Sequence, residues 1–403
     1  MHPVIELGRA LQGRGHAVTV VTNPQFEPEI AAYGLGFRAL GTAEEAQRLM
    51  RDPRLWHPRS GFTCIVEGAV LPLVEPLYRI IEEHRGPGLV VAATSLCLGA
   101  RLAQERLGVP TATLHLQPAV LRSEVDNATL GPFRLGPGTP ALAKRAFFWA
   151  LDTLWADRIT GPRFNAFRGK LGLRPVRRIF GAYLHSPQLV LCLFPEWFAR
   201  RQPDWPAAAH LTGFLLHDGG EHRGMPERAE AFLAAGEAPV LVTPGSAATD
   251  RTAFFAAAAR ACARQGVRAM FVTNHPEQVP RALPEGIEVF PYLPFSRVLP
   301  RCRALFYHGG IGTLAQAVRA GVPHLVVPNA HDQPDNGRRI AELGIGQSLS
   351  CRALGGDRGA AALAHILGSA ALRDRCRALS RRIDNAAAAN AACDLIETLG
   401  SGA

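Results

Sequence analysis

The residues best suited to chemistry stand in the last third of the chain, where His308-Gly309-Gly310-Ile311-Gly312-Thr313 follows the apolar run Ala304 to Tyr307 and precedes a segment with helical spacing. A glycine-rich turn between strand and helix lets backbone N–H groups approach a phosphate, and the helix N-terminus adds positive potential. The spacing is neither G-x-G-x-x-G nor G-x-x-x-x-G-K-[ST], which disfavours a dinucleotide or a P-loop nucleotide. Glycines in such a turn also serve tight packing. After a further helix and the strand His324 to Val327 comes Pro328-Asn329-Ala330-His331-Asp332-Gln333-Pro334-Asp335-Asn336, which reads as a strand-end loop. Its adjacent carboxylate and carboxamide can hydrogen-bond vicinal hydroxyls; the plainer reading is a solvated loop. A phosphate turn and a hydroxyl-binding pair on neighbouring strand ends together point to a nucleotide sugar.

The elements that must position these residues alternate between helix and strand, the pattern of parallel sheets covered by helices. The first unit reads as a helix opened by Pro3, strands at Ala17 to Thr22 and Phe37 to Leu40, a helical stretch from Phe62 to Glu82, strand Leu89 to Ala93, helix Leu98 to Leu107 and strand Thr111 to Leu116. Gly131 to Pro140 reads as loop, Ala141 to Leu171 as mostly helix and Leu189 to Phe194 as strand. Periodicity lapses across Asp218-Gly219-Gly220-Glu221-His222-Arg223-Gly224, then strands recur at Val240 to Thr243, Ala269 to Thr273, Ile287 to Phe290, Ala304 to Tyr307 and His324 to Val327. The expected fold is α/β, two doubly wound Rossmann-like domains facing a cleft: 1–215, a linker at 216–230, a second domain at 231–385, and a helix and tail at 386–403. Such sheets bind ligands beyond the carboxyl ends of their strands.

Composition narrows the classes. Of 403 residues, 47% are apolar and 19% charged, too hydrophobic for a disordered chain. No apolar run approaches the ~20 residues of a membrane span. The opening Met1-His2-Pro3-Val4-Ile5-Glu6 carries no secretory signal, which gives a cytoplasmic expectation. Eight scattered cysteines offer neither a disulfide framework nor a zinc site. The net charge is +10, yet only Lys144 and Lys170 among 44 basic residues are lysine, and no aromatic-basic platform for nucleic acid stands out. A basic surface suits anionic substrates or an anionic membrane face.

On the HGGIGT turn, the bend Ala320-Gly321-Val322-Pro323 and the Asp332-Gln333 pair, the sequence resembles the GT-B glycosyltransferases of family 1, the UDP-glycosyltransferase type. The resemblance implies a hexosyltransferase that is inverting and independent of metals and cofactors. In the donor domain, 231–385, His308 and the Gly310, Ile311, Gly312 and Thr313 turn would hold the donor diphosphate, Asp332, Gln333 and Asn336 the sugar side, Gly245-Ser246 a phosphate, and Tyr292 the base. Its acceptor domain is 1–215, with Trp56 as acceptor contact. That half is more narrowly similar to the rhamnosyltransferases of rhamnolipid synthesis, on Asp52-Pro53-Arg54-Leu55-Trp56, His185-Ser186-Pro187-Gln188 and Asp204-Trp205-Pro206. This implies a rhamnose or other hexose moved from a dTDP- or UDP-sugar to the hydroxyl of a lipid-like or other apolar acceptor, glycolipid biosynthesis, and peripheral contact with the inner face of a membrane. The family's catalytic base falls before Met1 by this resemblance, with the first strand, so no catalytic residue is expected within the chain and the N-terminal domain is expected to be truncated at its start. A non-catalytic or weakly active donor-binding homologue and a nucleotide-sugar epimerase are the alternatives; nucleic-acid binding is disfavoured.

Overall fold

The computed structural model describes residues 1–402 except 58, 127, 131–132, 137, 246–250 and 355. Residue contacts divide the protein into two compact units, one of Pro3–Leu215 with Met1 and Asn385–Ala403, the other of Leu216–Asp384 with His2.

In the first unit the strands are β1 (Thr19–Thr22), β2 (Gly36–Ala39), β3 (Val91–Thr94), β4 (Thr111–His115), β5 (Ala128–Leu130), β6 (Phe133–Leu135), β7 (Leu189–Cys192) and β8 (Ala209–Leu211). They form a parallel β1–β2 pair and a parallel sheet in the order β3-β4-β7-β8. Every residue of β4 and β7 is buried, as central parallel strands with covered faces require. One face packs Ala112, Leu114, Leu189 and Leu191 against Leu7 and the last helix, Asn385–Ser401, through Ala388, Ala392, Cys393 and Ile396. A second cluster gathers Val74, Leu77, Tyr78, Leu98, Leu102 and Phe164 from three helical segments.

The stretch expected as loop at Gly131 to Pro140 contains β6, which pairs antiparallel with β5 in the register Thr129↔Arg134. Glycine and proline content reported the turn but not the flanking backbone, whose N–H and C=O groups find their partners across the hairpin. The Phe62 to Glu82 helix runs from Gly61 to Glu83 through a wider π-type stretch, Val66–Val70, with Pro76 inside its last segment.

The second unit is a six-stranded parallel sheet of β9 (Val240–Thr243), β10 (Ala269–Val272), β11 (Ile287–Phe290), β12 (Ala304–Tyr307), β13 (His324–Val326) and β14 (Gly346–Ser348), ordered β11-β10-β9-β12-β13-β14. The backbone winds outward from β9 to one edge, then returns to β12 and winds to the other. The carboxyl ends of β9 and β12 therefore flank the point where strand order reverses, the crevice where open α/β sheets take ligands. Among the described residues no helix is long and apolar enough to cross a membrane.

Candidate functional site

At that reversal point the two strand ends meet. β12 is buried along its length and delivers His308 at its end. The helix Ile311–Ala320 starts three residues on, with Gly310 in extended backbone as its N-cap and no side chain capping it. The amides that follow Ile311 in its first turn therefore keep N–H groups for an anion. Gly321 ends the helix in the left-handed conformation (φ 67°), so the Ala320-Gly321-Val322-Pro323 bend is a glycine-terminated helix leading into β13.

The His308 ring lies flat against backbone from both strands. A Cβ on Gly245, after β9, would stand 2.7 Å from His308 Nε2, and one on Gly310 would overlap the same atom. Only glycine at these two positions admits the imidazole. Burial first, then the positive Arg251, pushes His308 down to about 4, so the ring is neutral at pH 7. Its Nδ1 is buried with no hydrogen-bond partner among the described residues. A neutral imidazole with an unsatisfied nitrogen beside open helix amides suits a polar ligand.

The segment read as a loop ends earlier than expected. Gln333, Pro334, Asp335 and Asn336 form the first turn of a helix, Gln333–Glu342, with Asp332 at its N-cap position. Pro334 in that first turn has no N–H to lose and a φ already helical, a start signal that the loop reading passed over. The helix is fixed from below by Asp335, which accepts from Arg338 Nη2 at 2.9 Å and Arg339 Nε at 2.8 Å in the interior. His331 just before it is left-handed (φ 60°), a costly conformation for a non-glycine residue that turns the backbone into the helix.

This turn stands against the His308 turn. Asn336, fully buried, donates from Nδ2 to Gly309 O at 2.9 Å and to Asp332 Oδ2 at 2.7 Å. The Asp332 carboxylate also accepts from the Ile311 backbone N–H, yet burial outweighs these bonds and pushes it up to about 6, with Asp335 adding to the rise. Gln333 spends its carbonyl on its own loop, accepting from Asn329 N at 2.8 Å and Ala330 N at 3.2 Å, which leaves its NH₂ to donate. His308, Gly310, Ile311, Asp332, Asn336 and Gly245 are thus one cluster, Gln333 borders it, and Gly312 and Thr313 continue its amide row. Ser246 lies outside the described residues.

Tyr292 is held differently. Its hydroxyl donates to Asp218 O at 2.7 Å and the Arg223 guanidinium carbon lies 5.1 Å from its ring centroid. Asp218 also accepts from Ser296 N at 2.6 Å, which pins the irregular segment after β8 onto the Tyr292 turn. Trp56 belongs to the first unit, half-buried in the turn Pro53–Trp56.

The first unit holds a polar cluster that spacing did not reveal. Ser95 Oγ and His115 Nδ1 are 2.7 Å apart, and His115 Nε2 and His185 Nδ1 2.8 Å. His115 is fully buried and held well below its ordinary value by burial and by His185. His185 is pushed to about 4 by burial, then by Arg122 and Arg101. His185, Arg122, Asp204 and Trp205 line a cavity of about 420 Å³, the size of a small-molecule pocket. Only the polar faces of Thr111, Thr113 and His115, alternating along an otherwise apolar strand, signalled that one side of β4 meets polar groups.

Comparison with known proteins places this geometry. Residues 266–398 match the family described as erythromycin biosynthesis protein CIII-like, C-terminal domain. The sequence is 29% identical over 413 residues to the O-mycaminosyltylonolide 6-deoxyallosyltransferase of Streptomyces fradiae, covering 98% of this chain and 94% of that one. Among solved structures, the glycotransferase of kitacinnamycin superposes with a TM-score of 0.74 at 22% identity, covering 99% and 95% of the two chains. The spinosyn rhamnosyltransferase SpnG in complex with thymidine diphosphate superposes with a TM-score of 0.68 at 21% identity, covering 98% and 96%. The two parallel α/β units are those of the GT-B fold.

Proposed function

Given that this protein is a sugar-transferring enzyme of the GT-B type, we propose that Leu216–Asp384 holds a nucleoside diphosphate sugar and that the sugar passes to a hydroxyl of an apolar acceptor carried by Pro3–Leu215. The observation that carries this reading is the contact of the Asp332-Asn336 turn with the His308-Gly310 turn, which sets a carboxylate on the first amide of the Ile311–Ala320 helix, beside the Gly312 and Thr313 amides. The donor diphosphate carries two negative charges and gains a third as its bond to the anomeric carbon breaks; the Gly312 and Thr313 amides stabilise that charge as it develops, and the acceptor hydroxyl releases its proton to solvent as its oxygen bonds the anomeric carbon. Asp332 accepts sugar hydroxyls while the Gln333 NH₂ donates to them. Gly245 lies beside the phosphates, and Tyr292 offers its ring to the base. The reaction inverts the anomeric centre and needs no metal.

For the donor we favour dTDP-rhamnose or a related dTDP- or UDP-hexose, in line with the thymidine diphosphate on SpnG and the 6-deoxysugar named for the Streptomyces relative. For the acceptor we favour a hydroxylated lipid, on the resemblance of the acceptor half to rhamnolipid rhamnosyltransferases and on the +10 charge, which suits peripheral contact with an anionic membrane. The test is release of nucleoside diphosphate from a panel of dTDP- and UDP-sugars with hydroxyacyl lipids or macrolide aglycones. Acceptor-dependent release, abolished in His308→Ala and Asp332→Ala, is expected. Donor turnover without acceptor would indicate an epimerase, and donor binding without turnover a non-catalytic homologue.

A further inference from the structure

Among the described residues, four of the six exposed large apolar side chains fall on one helix of the first unit, Val125 and Leu96 being the other two. Leu142 is 74% exposed, Trp149 54%, Leu154 48% and Trp155 37%. All four belong to a continuous helical segment formed by Ala141–Ala150, the wider π-type stretch Leu151–Ala156 and Asp157–Lys170. Its opposite side is buried at every fourth position, through Lys144, Phe148, Asp152, Ala156, Thr160 and Phe164. The helix is anchored on that side and presents leucine and indole on the other. Trp155 packs one face on Phe62, with ring centroids 4.5 Å apart, whereas exposure of Trp149 and the two leucines gains a monomer in water nothing.

The same stretch carries most of the protein's net charge. Residues 141–178 hold nine arginines and lysines against two aspartates, a net +7 of the total +10. Four of the nine cations do not add to the free surface charge: Lys144 and Arg168 are buried, Arg168 pairs with Glu105, Arg145 with Glu124 and Arg178 with the buried Asp152. Arg158, Arg163 and Lys170, further along the same helix, and Arg174 and Arg177 just after it are exposed. Exposed indoles and leucines followed by exposed cations match an anionic bilayer, with the rings in the headgroup layer and guanidinium groups on lipid phosphates. A second copy of the protein is the poorer occupant, because it would bring an equal positive face against this one.

We propose that the 141–178 segment docks the protein on an anionic membrane surface through Leu142, Trp149, Leu154 and Trp155. This deepens the peripheral-contact reading above and rests on it. The test is co-sedimentation of the full chain with vesicles of phosphatidylcholine plus phosphatidylglycerol, and with pure phosphatidylcholine, at low and raised salt. The intact protein should pellet with the anionic vesicles, release as salt rises, and blue-shift its tryptophan emission. Both W149S/L154S and R158E/R163E should weaken binding roughly tenfold or more, with thymidine diphosphate binding and circular dichroism unchanged as fold controls. Full binding by both variants would overturn the proposal and leave membrane contact to another face. No binding by the intact protein would overturn both. A dimer in solution that these variants split, without vesicle binding, would assign the face to a second copy and overturn the proposal.

Discussion

Asp332→Asn should gain stability relative to the native protein as pH rises from about 4 to about 8. Burial pushes the Asp332 carboxyl from 3.8 to about 6 in the folded state. The folded state then binds this proton more tightly than the unfolded chain. Stability from protonation is complete below the unfolded value and is lost as pH rises through about 6. A shift of roughly two units corresponds to about 3 kcal/mol at most. The side chain keeps some contact with solvent, which brings the expected loss to about 1–2 kcal/mol. The carboxamide of the variant carries no charge and escapes that loss, although its NH₂ faces Asn336 Nδ2, at a pH-independent cost of about 1 kcal/mol. Urea unfolding of both proteins, unliganded, at several pH values reads the difference directly. It should move toward the variant by about 1–2 kcal/mol over this range while sugar transfer is lost. A difference that stays constant with pH, or moves the other way, would refute the account of Asp332 as a carboxylate kept at the cost of stability.

Two further outcomes follow from the same contacts. Gly310→Ala drives a methyl group into His308 Nε2, so thymidine or uridine diphosphate affinity measured by calorimetry should fall tenfold or more while the second unit stays folded; unchanged affinity would remove His308 from the phosphate cradle. Arg168→Met removes a guanidinium that is 1% exposed and bonded to Glu105 and Tyr183, leaving the half-covered Glu105 carboxylate with the Tyr183 hydroxyl but without its cation, which should destabilise the first unit by about 2–4 kcal/mol in thermal unfolding; a melt like that of the native protein would show the pair to be idle.

Local pattern carried the donor half a long way. The apolar run Ala304–Tyr307 and the glycines after it placed strand, turn and helix start correctly, because a buried parallel strand needs continuous apolar residues and a close backbone approach needs glycine. The break in periodicity before Glu227 matches an irregular segment that precedes the helix Glu227–Ala234 and belongs to the second unit. Local pattern failed where a residue's role depends on what it meets. Gln333 and Asp332 read as an equivalent hydroxyl-binding pair, yet Gln333 Oε1 is tied to two backbone amides and Asp332 to Asn336 and Ile311.

The protein's own periodicity and glycine spacing determined that there are two parallel α/β cores and a glycine-rich strand-to-helix turn, since those features are properties of residues near one another in sequence. Tertiary structure alone decided that His308 is neutral and lacks a partner at Nδ1 among the described residues, that burial pushes Asp332 up to about 6, and that Ser95, His115 and His185 form a hydrogen-bonded row. It also decided that the last helix, apolar enough to pack on either core, returns to the first one. Burial, charge and hydrogen bonding at these atoms come from groups tens to hundreds of residues away, brought within reach by strand order and register, which no local pattern encodes.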